Sequence, residues 1–220
     1  MSKIWNLEQF KDNTALIDEF GGQLTYGQLN ANANVLAETI GHRCLVFCLC
    51  RSEIGSVIGY TAFINNGIVP VMLNSHLEEG LLQNLLNTYS PEYLWLPKEQ
   101  ATVFSEMNVE HEAYNYVLLK TGYEKKYPLY EDLGLLMTSS GSTGSPKFIR
   151  QSYENLLANT QSIVEYLKLD SSERPITTLP MNYVYGLSII NSHFMVGATI
   201  LLTEKGLMQK EFWNFFKDAE

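Results

Sequence analysis

Apolar residues are distributed along this chain with two alternating periodicities. Short apolar runs, typical of buried strands, occur at residues 15–20, 44–50, 68–73 and 93–96. Between them lie longer segments with apolar residues at helical spacing, at about 25–40, 53–64 and 77–88. Because strands that alternate with helices form parallel sheets covered by helices, the pattern predicts an α/β fold with mostly parallel sheets.

Individual polar and glycine positions predict where two of the helices begin or end. Thr25 and Gln28 have the spacing of a capping box, which predicts a helix that begins after Thr25. Gly41 follows the last apolar residue of that helix and is predicted to close it. Ser152 is the predicted N-cap of a second helix, over residues 153–167.

The rhythm changes in the second half of the chain. It loosens between residues 97 and 130, which are predicted to cross the surface. Strands are again predicted at 133–138, 148–151, 176–180 and 198–203, with a helix near 186–195. The last segment, 207–218, is amphipathic, and its aromatic residues are predicted to pack on the sheet as a stripe: Phe212, Trp213, Phe215 and Phe216.

The charge distribution excludes two classes of protein. A formal net charge of −9 and a pI of about 5.0 argue against a nucleic-acid binder, which needs clustered Lys and Arg. Residues 54–77 and 175–203 carry no Asp, Glu, Lys or Arg and exceed the ~20 residues of a membrane helix. Pro70, Pro180 and several Asn and Gly residues interrupt these two stretches. Buried elements of an α/β core therefore explain the stretches better than membrane helices do. No secretory signal precedes them, and a cytoplasmic protein is expected.

Three cysteines lie in one apolar run, CLVFCLC. Their even spacing places Cys44, Cys48 and Cys50 on the same face of a strand. An odd number of buried thiols is typical of a reduced compartment. His42 is close in sequence, but the spacing matches no zinc pattern and one strand cannot surround a tetrahedral ion. No metal site is therefore predicted.

The segment from Thr138 to Lys147, TSSGSTGSPK, has the composition of an anion-binding loop. It follows a predicted buried strand, the usual position of a nucleotide loop in an α/β protein. Its two glycines, Gly141 and Gly144, allow a tight backbone with exposed N–H groups. Its hydroxyl groups and the Lys147 ammonium can bind phosphate oxygens; the hydroxyls belong to Ser139, Ser140, Ser142 and Thr143.

Spacing excludes three named motifs for this loop. The Walker loop requires Gly before its Lys and Ser or Thr after it, whereas Pro146 and Phe148 flank Lys147 here. The dinucleotide fingerprint and the nucleophile elbow of hydrolases each require a glycine spacing that the segment lacks. On composition alone, a solvated Ser/Gly loop explains the segment as well as a phosphate site does.

The string SSGSTGSPK closely resembles the phosphate loop of the adenylate-forming superfamily, the AMP-dependent synthetases and ligases. That superfamily includes acyl-CoA synthetases and peptide-synthetase adenylation domains. Ser139 stands where the family has Thr, and Phe148 departs from its usual Gly. Residues 15–41, 60–74, 152–156 and 179–188 resemble further family segments in the same order.

The resemblance implies an acid–thiol ligase. A carboxylate attacks ATP to give an acyl-adenylate and pyrophosphate, and a thiol then displaces AMP to give a thioester. ATP and Mg²⁺ are the implied cofactors, and the partners are a small-molecule carboxylate with coenzyme A or a phosphopantetheine carrier, which would be an acyl carrier protein.

The resemblance also implies roles for named residues. Ser139, Ser140, Gly141, Ser142, Thr143, Gly144 and Lys147 would bind the phosphates of ATP. Tyr183, Tyr185 and Gly186 would shape or gate the substrate pocket, with Tyr183 in the position of a family His and Asn182 in that of an aromatic residue. His111 and His193 match no family motif and are expected to be structural.

The resemblance divides the chain and leaves part of the family pattern out. Residues 1–130 would form the first α/β half of an AMP-binding synthetase domain, and residues 131–220 the phosphate loop and the start of the second half. The C-terminal domain and the catalytic Lys of the family do not occur in these 220 residues. The chain alone is therefore expected to be inactive. A noncatalytic nucleotide- or anion-binding domain that retains the loop is the alternative.

Overall fold

A computed structural model describes residues 4–123, 128–138 and 147–219. These residues contain ten strands and six α-helices, with short 3-10 helices at Leu7–Phe10 and Lys98–Phe104. The strands are β1 (Thr14–Asp18), β2 (Gln23–Thr25), β3 (Leu45–Cys50), β4 (Val69–Asn74), β5 (Tyr93–Pro97), β6 (Asn108–Ala113), β7 (Tyr116–Lys120), β8 (Leu133–Thr138), β9 (Phe148–Ser152) and β10 (Ile200–Leu202). The helices are α1 (Tyr26–Ile40), α2 (Ile54–Asn65), α3 (Glu79–Tyr89), α4 (Tyr153–Leu167), α5 (Val184–Val196) and α6 (Lys210–Asp218).

The larger sheet has seven strands in the order β6-β7-β5-β3-β4-β8-β9. Its four central strands, β5, β3, β4 and β8, are parallel, as the alternation of strands and helices predicts. Antiparallel pairs close both sides, β5 with β7 and β8 with β9. The α/β class is confirmed, and the sheet is mixed.

The prediction that residues 97–130 cross the surface holds for most of the described residues, but it is wrong for residues 116–119 of β7, which are buried. Strands β6 and β7 form an antiparallel hairpin, and β7 is buried along the edge of β5. Tyr114 and Asn115 connect the two strands with φ values of 47° and 61°, the positive angles of a tight two-residue hairpin turn. The hairpin escapes a sequence pattern because the turn lacks Gly and because β6 is largely exposed.

A second sheet of three strands, β10-β1-β2, lies apart from the first. Strands β1 and β10 are parallel although about 180 residues separate them, and Leu16 pairs with Ile200. The strand predicted at 176–180 does not form. Only Ile176 makes an isolated bridge, to Leu201, and the ladder stops there because the Thr203 N–H donates to the Thr177 hydroxyl instead of the Thr177 carbonyl.

The predicted helix ends are confirmed. The Thr25 hydroxyl accepts a hydrogen bond from the Gln28 N–H at 3.2 Å, and the Gln28 side chain accepts one from the Thr25 N–H at 2.9 Å. Gly41 ends α1 with a positive φ of 71°. Ser152 caps α4 by accepting the Asn155 N–H at 3.1 Å.

The two faces of the larger sheet bury separate apolar cores. Cys44, which directly precedes β3, and Cys48 and Cys50 within it face the core that α1 and α2 cover, which confirms that the thiols share one face. The intervening Phe47 and Leu49 face the other core, which α3 covers.

Helix α2 is buried all round, which explains the first stretch without charge. No helix within the described residues is long and apolar enough to cross a membrane.

The predicted aromatic stripe of α6 does not pack on the sheet as a whole. Phe212 is buried, but Trp213 is 46% exposed and Phe215 and Phe216 are half-buried. Trp213 instead stands edge-on to its own neighbours, with ring centroids 5.3 Å from Phe212 and 6.1 Å from Phe216.

Candidate functional site

The carboxyl ends of the parallel strands form one edge of the larger sheet, where α/β proteins bind their ligands. Cys50 at the end of β3 pairs with Asn74 at the end of β4, and β8 continues the same edge through the pairing of Met72 with Met137. The Ser/Gly segment of the sequence follows β8 directly. Strand order and direction therefore place the end of β8, which that segment follows in sequence, at the expected edge.

The two strands that flank the Ser/Gly segment are held opposite each other. Thr138, the last residue of β8, pairs with Phe148, the first residue of β9. Lys147 precedes β9 and is exposed. The other predicted phosphate-binding residues lie outside the described residues and stay predictions: Ser139, Ser140, Gly141, Ser142, Thr143 and Gly144.

A cavity of about 370 Å³ lies between the end of β8, strand β9 and helices α4 and α5. Its volume falls within the ~300–1,000 Å³ range of small-molecule pockets. Polar side chains without charge line it beside apolar ones: Gln151, Asn155, Asn159, Ser188 and Asn191 are polar, and Met137, Leu156, Val184 and Leu187 are apolar. Amide and hydroxyl groups can both donate and accept, so this lining suits a small polar ligand.

The predicted pocket residues at the start of α5 do not line this cavity. Tyr183 and Tyr185 are 47% and 66% exposed, and they flank Val184, which does line it. Gly186 is buried, and a Cβ atom there would lie 2.2 Å from the Pro180 carbonyl oxygen. Its missing side chain thus lets α5 approach the backbone of residues 179–180.

The residues that α5 does contribute could have been found from helical spacing. Val184, Leu187, Ser188 and Asn191 stand at i, i+3, i+4 and i+7, which is one face of a helix. The predicted tyrosines belong to the other side. The neighbouring Asn182 is buried, and its Oδ1 atom has no hydrogen-bond partner among the described residues.

Asn191 is held by a buried hydrogen bond from a second helix. The Tyr60 hydroxyl of α2 donates to Asn191 Oδ1 at 2.7 Å, and both side chains are buried. Burial raises the pKa of Tyr60, so the phenol remains a donor at neutral pH. The bond joins the core helix α2 to the cavity-lining face of α5.

Arg51 at the carboxyl edge is already paired with acidic groups. Its guanidinium donates to Glu99 at 2.5 Å and lies 3.6 Å from Glu53. Its Nε also donates to Ser75 Oγ at 3.2 Å. Burial raises the pKa of the Glu53 carboxyl, and the Arg51 charge opposes that shift. Arg51 therefore neutralises its own neighbours rather than presenting a free charge to a ligand.

His193 and His111, which are expected to be structural, each contact other parts of the protein and not the cavity. His193 is buried, with its Nδ1 2.7 Å from the Ile189 carbonyl oxygen. His111 stacks on Trp95 with ring centroids 6.5 Å apart. Burial lowers the pKa of both imidazoles, and neither lines the cavity.

A family model described as "AMP-binding enzyme" matches residues 4–219. Among curated proteins, a 2-succinylbenzoate–CoA ligase of Oceanobacillus iheyensis is 25% identical over 210 residues, covering 90% of this chain and 43% of the ligase. A D-alanine–D-alanyl carrier protein ligase of Staphylococcus aureus (strain JH9) is 21% identical over 196 residues, covering 86% of this chain and 39% of that protein. The chain thus spans less than half the length of these relatives.

Solved structures share the fold at low identity. An o-succinylbenzoate CoA synthetase (MenE) from Bacillus subtilis, bound with a product analogue, superposes with a TM-score of 0.74 at 21% identity, covering 98% of this chain and 47% of that one. ATP-bound MatB from Rhodopseudomonas palustris gives a TM-score of 0.73 at 17% identity, covering 92% of this chain and 46% of that one.

Proposed function

This chain belongs to the AMP-binding enzyme family, and we propose that it is the N-terminal part of a ligase that activates a carboxylate with ATP and transfers the acyl group to a thiol. The match of the family model to residues 4–219 carries the proposal. The relatives include one ligase named for CoA and one named for a carrier protein, so both kinds of thiol acceptor stay open.

The proposed reaction has two displacement steps. A carboxylate oxygen attacks the α-phosphorus of ATP, the bond to the bridging oxygen of the β-phosphate breaks, and pyrophosphate leaves. The sulfur of a thiol then attacks the acyl carbon, loses its proton and releases AMP. In the first step the protein must stabilise negative charge on the phosphates and hold the two reactants in line.

The phosphates are proposed to bind at the carboxyl edge of the larger sheet. Ser139 to Gly144 would supply hydroxyls and backbone N–H groups, and Lys147 a positive charge. The pairing of Thr138 with Phe148 and the exposure of Lys147 support this placement. Mg²⁺ would share the charge of the phosphates. We assign no described residue to it, because the cavity lining contains no carboxylate.

The carboxylate substrate is proposed to occupy the cavity between β8, α4 and α5. Its volume of about 370 Å³ and its amide lining favour a small polar acid over a long fatty acid. Tyr183, Tyr185 and Gly186 stay proposed as the rim of this pocket. In support, they flank or closely follow the lining residue Val184 at the start of α5.

Substrate-dependent pyrophosphate exchange by the full-length protein tests the proposed function. Fatty, aryl, amino and short polar acids are compared, and exchange is expected with a small polar acid. The 220-residue chain assayed alone is expected to give none, because it matches only 43% of a complete ligase. ATP binding by the full-length protein without exchange on any acid would instead support a noncatalytic nucleotide-binding domain.

Two substitutions in the full-length protein test the phosphate assignment. Lys147→Ala and Thr143→Ala are each expected to lower kcat/KM by about tenfold or more, since a hydrogen bond to a charged oxygen contributes about 1.5–3 kcal/mol. Lys120→Ala and Thr88→Ala are matched controls at exposed positions near the start of β5, at the opposite edge of the sheet. Full activity in both loop variants would show that the assignment is wrong.

A further inference from the structure

Three metal-ligating side chains converge at the edge of the larger sheet opposite the proposed active site. His42, Cys44 and Glu92 each offer one ligand atom, and these atoms lie within 4.8 Å of one another. Cys44 is buried, Glu92 is partly buried, and the His42 side chain is 49% exposed. The cluster therefore has a buried sulfur and one side that is open to water.

The register of two parallel strands creates this cluster. Glu92 directly precedes β5, and its N–H donates to the Leu45 carbonyl at 3.0 Å. His42 and Cys44 precede β3 with the two-residue spacing that directs side chains to one side. A single strand could not surround an ion, but the neighbouring strand supplies the third ligand atom.

The His42 ring is already oriented as in a metal site. Its Nδ1 lies 2.7 Å from the Ile40 carbonyl oxygen, which can only accept a hydrogen bond, so Nδ1 carries a proton. Its Nε2 is directed at Glu92 Oε2, 2.9 Å away. Metal-ligating histidines typically donate their second ring N–H to a carbonyl or carboxylate in this manner. With Nδ1 bonded to the Ile40 carbonyl, Nε2 is the ring atom left to bind a metal ion beside Glu92 Oε2.

We propose that His42, Cys44 and Glu92 bind Zn²⁺, with water as the fourth ligand on the exposed side. The mixture of one nitrogen, one sulfur and one oxygen ligand suits borderline Zn²⁺ and disfavours Mg²⁺ and Ca²⁺, which prefer oxygen. Zinc binding forms a Zn–S bond and releases the Cys44 thiol proton to solvent. Burial, and then the Glu92 charge, raise the pKa of that thiol to about 12, so the free thiol is protonated at neutral pH.

The site would lie far from the proposed ligase chemistry. Cys44 stands six residues before Cys50, which ends β3, so it lies about 20 Å from the carboxyl edge at ~3.3 Å per residue. A bound ion there would join the starts of β3 and β5. The inference does not rest on the proposed ligase activity, and its substitutions leave the proposed active-site residues unchanged.

Cobalt spectroscopy of the full chain, kept reduced, tests the site. Co²⁺ is expected to produce a sulfur-to-cobalt charge-transfer band and the intense visible bands of a tetrahedral complex, and Zn²⁺ is expected to displace it. Cys44→Ser is expected to abolish the sulfur band. Cys48→Ala, which removes a buried thiol on the same strand face, and His76→Gln, an exposed histidine, are expected to retain it.

Glu92→Gln and His42→Gln keep the shape of the cluster and decide the result if Cys44→Ser does not fold. Each is expected to weaken Zn²⁺ binding by more than ~100-fold, because losing a group that only orients a metal ligand already costs about 10–100-fold. Zn²⁺, but not Mg²⁺, is expected to raise the Tm of the wild-type chain and not that of Glu92→Gln. If the wild type shows no sulfur band, or if all variants bind Zn²⁺ with equal affinity, the proposal is overturned. The cluster would then be only a His42–Glu92 ion pair.

Discussion

The hydrogen bond between Tyr60 and Asn191 gives a sharp test of how α5 is held against the core. Tyr60→Phe removes the donor at 2.7 Å and leaves the buried Asn191 Oδ1 without it. An unsatisfied buried acceptor costs about 1–3 kcal/mol of unfolding free energy. For a domain of this size each kcal/mol shifts Tm by about 2–4 °C, so a decrease of about 2–12 °C is expected.

A double-mutant cycle separates the hydrogen bond from general damage to the core. Asn191→Leu alone leaves the Tyr60 hydroxyl unpaired, whereas Tyr60→Phe with Asn191→Leu removes both polar partners. The loss of unfolding free energy in the double variant is therefore expected to be smaller than the sum of the two single losses, by about 0.5–3 kcal/mol. Tyr166→Phe is the matched control, because Tyr166 is 85% exposed.

The assay is thermal unfolding followed by circular dichroism, with urea unfolding as a second measurement of the same differences. The reasoning is refuted if Tyr60→Phe unfolds at the same temperature as Tyr166→Phe. It is also refuted if the two single substitutions are simply additive, since the buried bond would then not couple α2 to α5.

Two further predictions concern packing and helix capping. In Gly59→Ala the new Cβ would lie 2.2 Å from Trp95 Nε1, so a loss of about 1–3 kcal/mol in urea unfolding is expected. In Gly80→Ala the new Cβ would meet only Glu78 Oε1, at 4.0 Å, so this variant should be neutral or stabilising. Equal stability of the two variants would contradict this packing. Thr25→Ala removes the capping bond to the Gln28 N–H and is expected to cost about 1 kcal/mol, while Thr25→Ser should retain most of it. A Thr25→Ser variant as unstable as Thr25→Ala would argue against the cap.

The sequence predicts elements well where local patterns carry the information. The caps at Thr25 and Ser152 and the αL glycine Gly41 depend on hydrogen bonds and backbone angles within one turn of helix, and all are confirmed. Which strands pair with each other is harder to predict from the sequence. The β6–β7 hairpin escapes because the apolar run of β7 follows a turn, Tyr114–Asn115, that lacks the usual Gly.

In the candidate site, too, some residues can be predicted from a local string and others only from the packing of distant elements. The phosphate segment is predicted from its string alone, and the roles of Ser139–Gly144 stay predictions because these residues lie outside the described part of the chain. The pocket is different: resemblance selects Tyr183 and Tyr185, but the helical face of α5 presents Ser188 and Asn191 to the cavity. Which face of a helix meets a cavity depends on the neighbours that pack against its other side.

The sequence by itself determines the α/β class, most element boundaries and the family, because periodicity, caps and a contiguous string are local properties. Only the tertiary structure decides which distant residues meet. It pairs β1 with β10, places Glu92 beside His42 and Cys44, and sets Asn191 under the Tyr60 hydroxyl. Strand order and register fix these neighbours, and both follow from burying two apolar faces at once, which no short window of sequence contains.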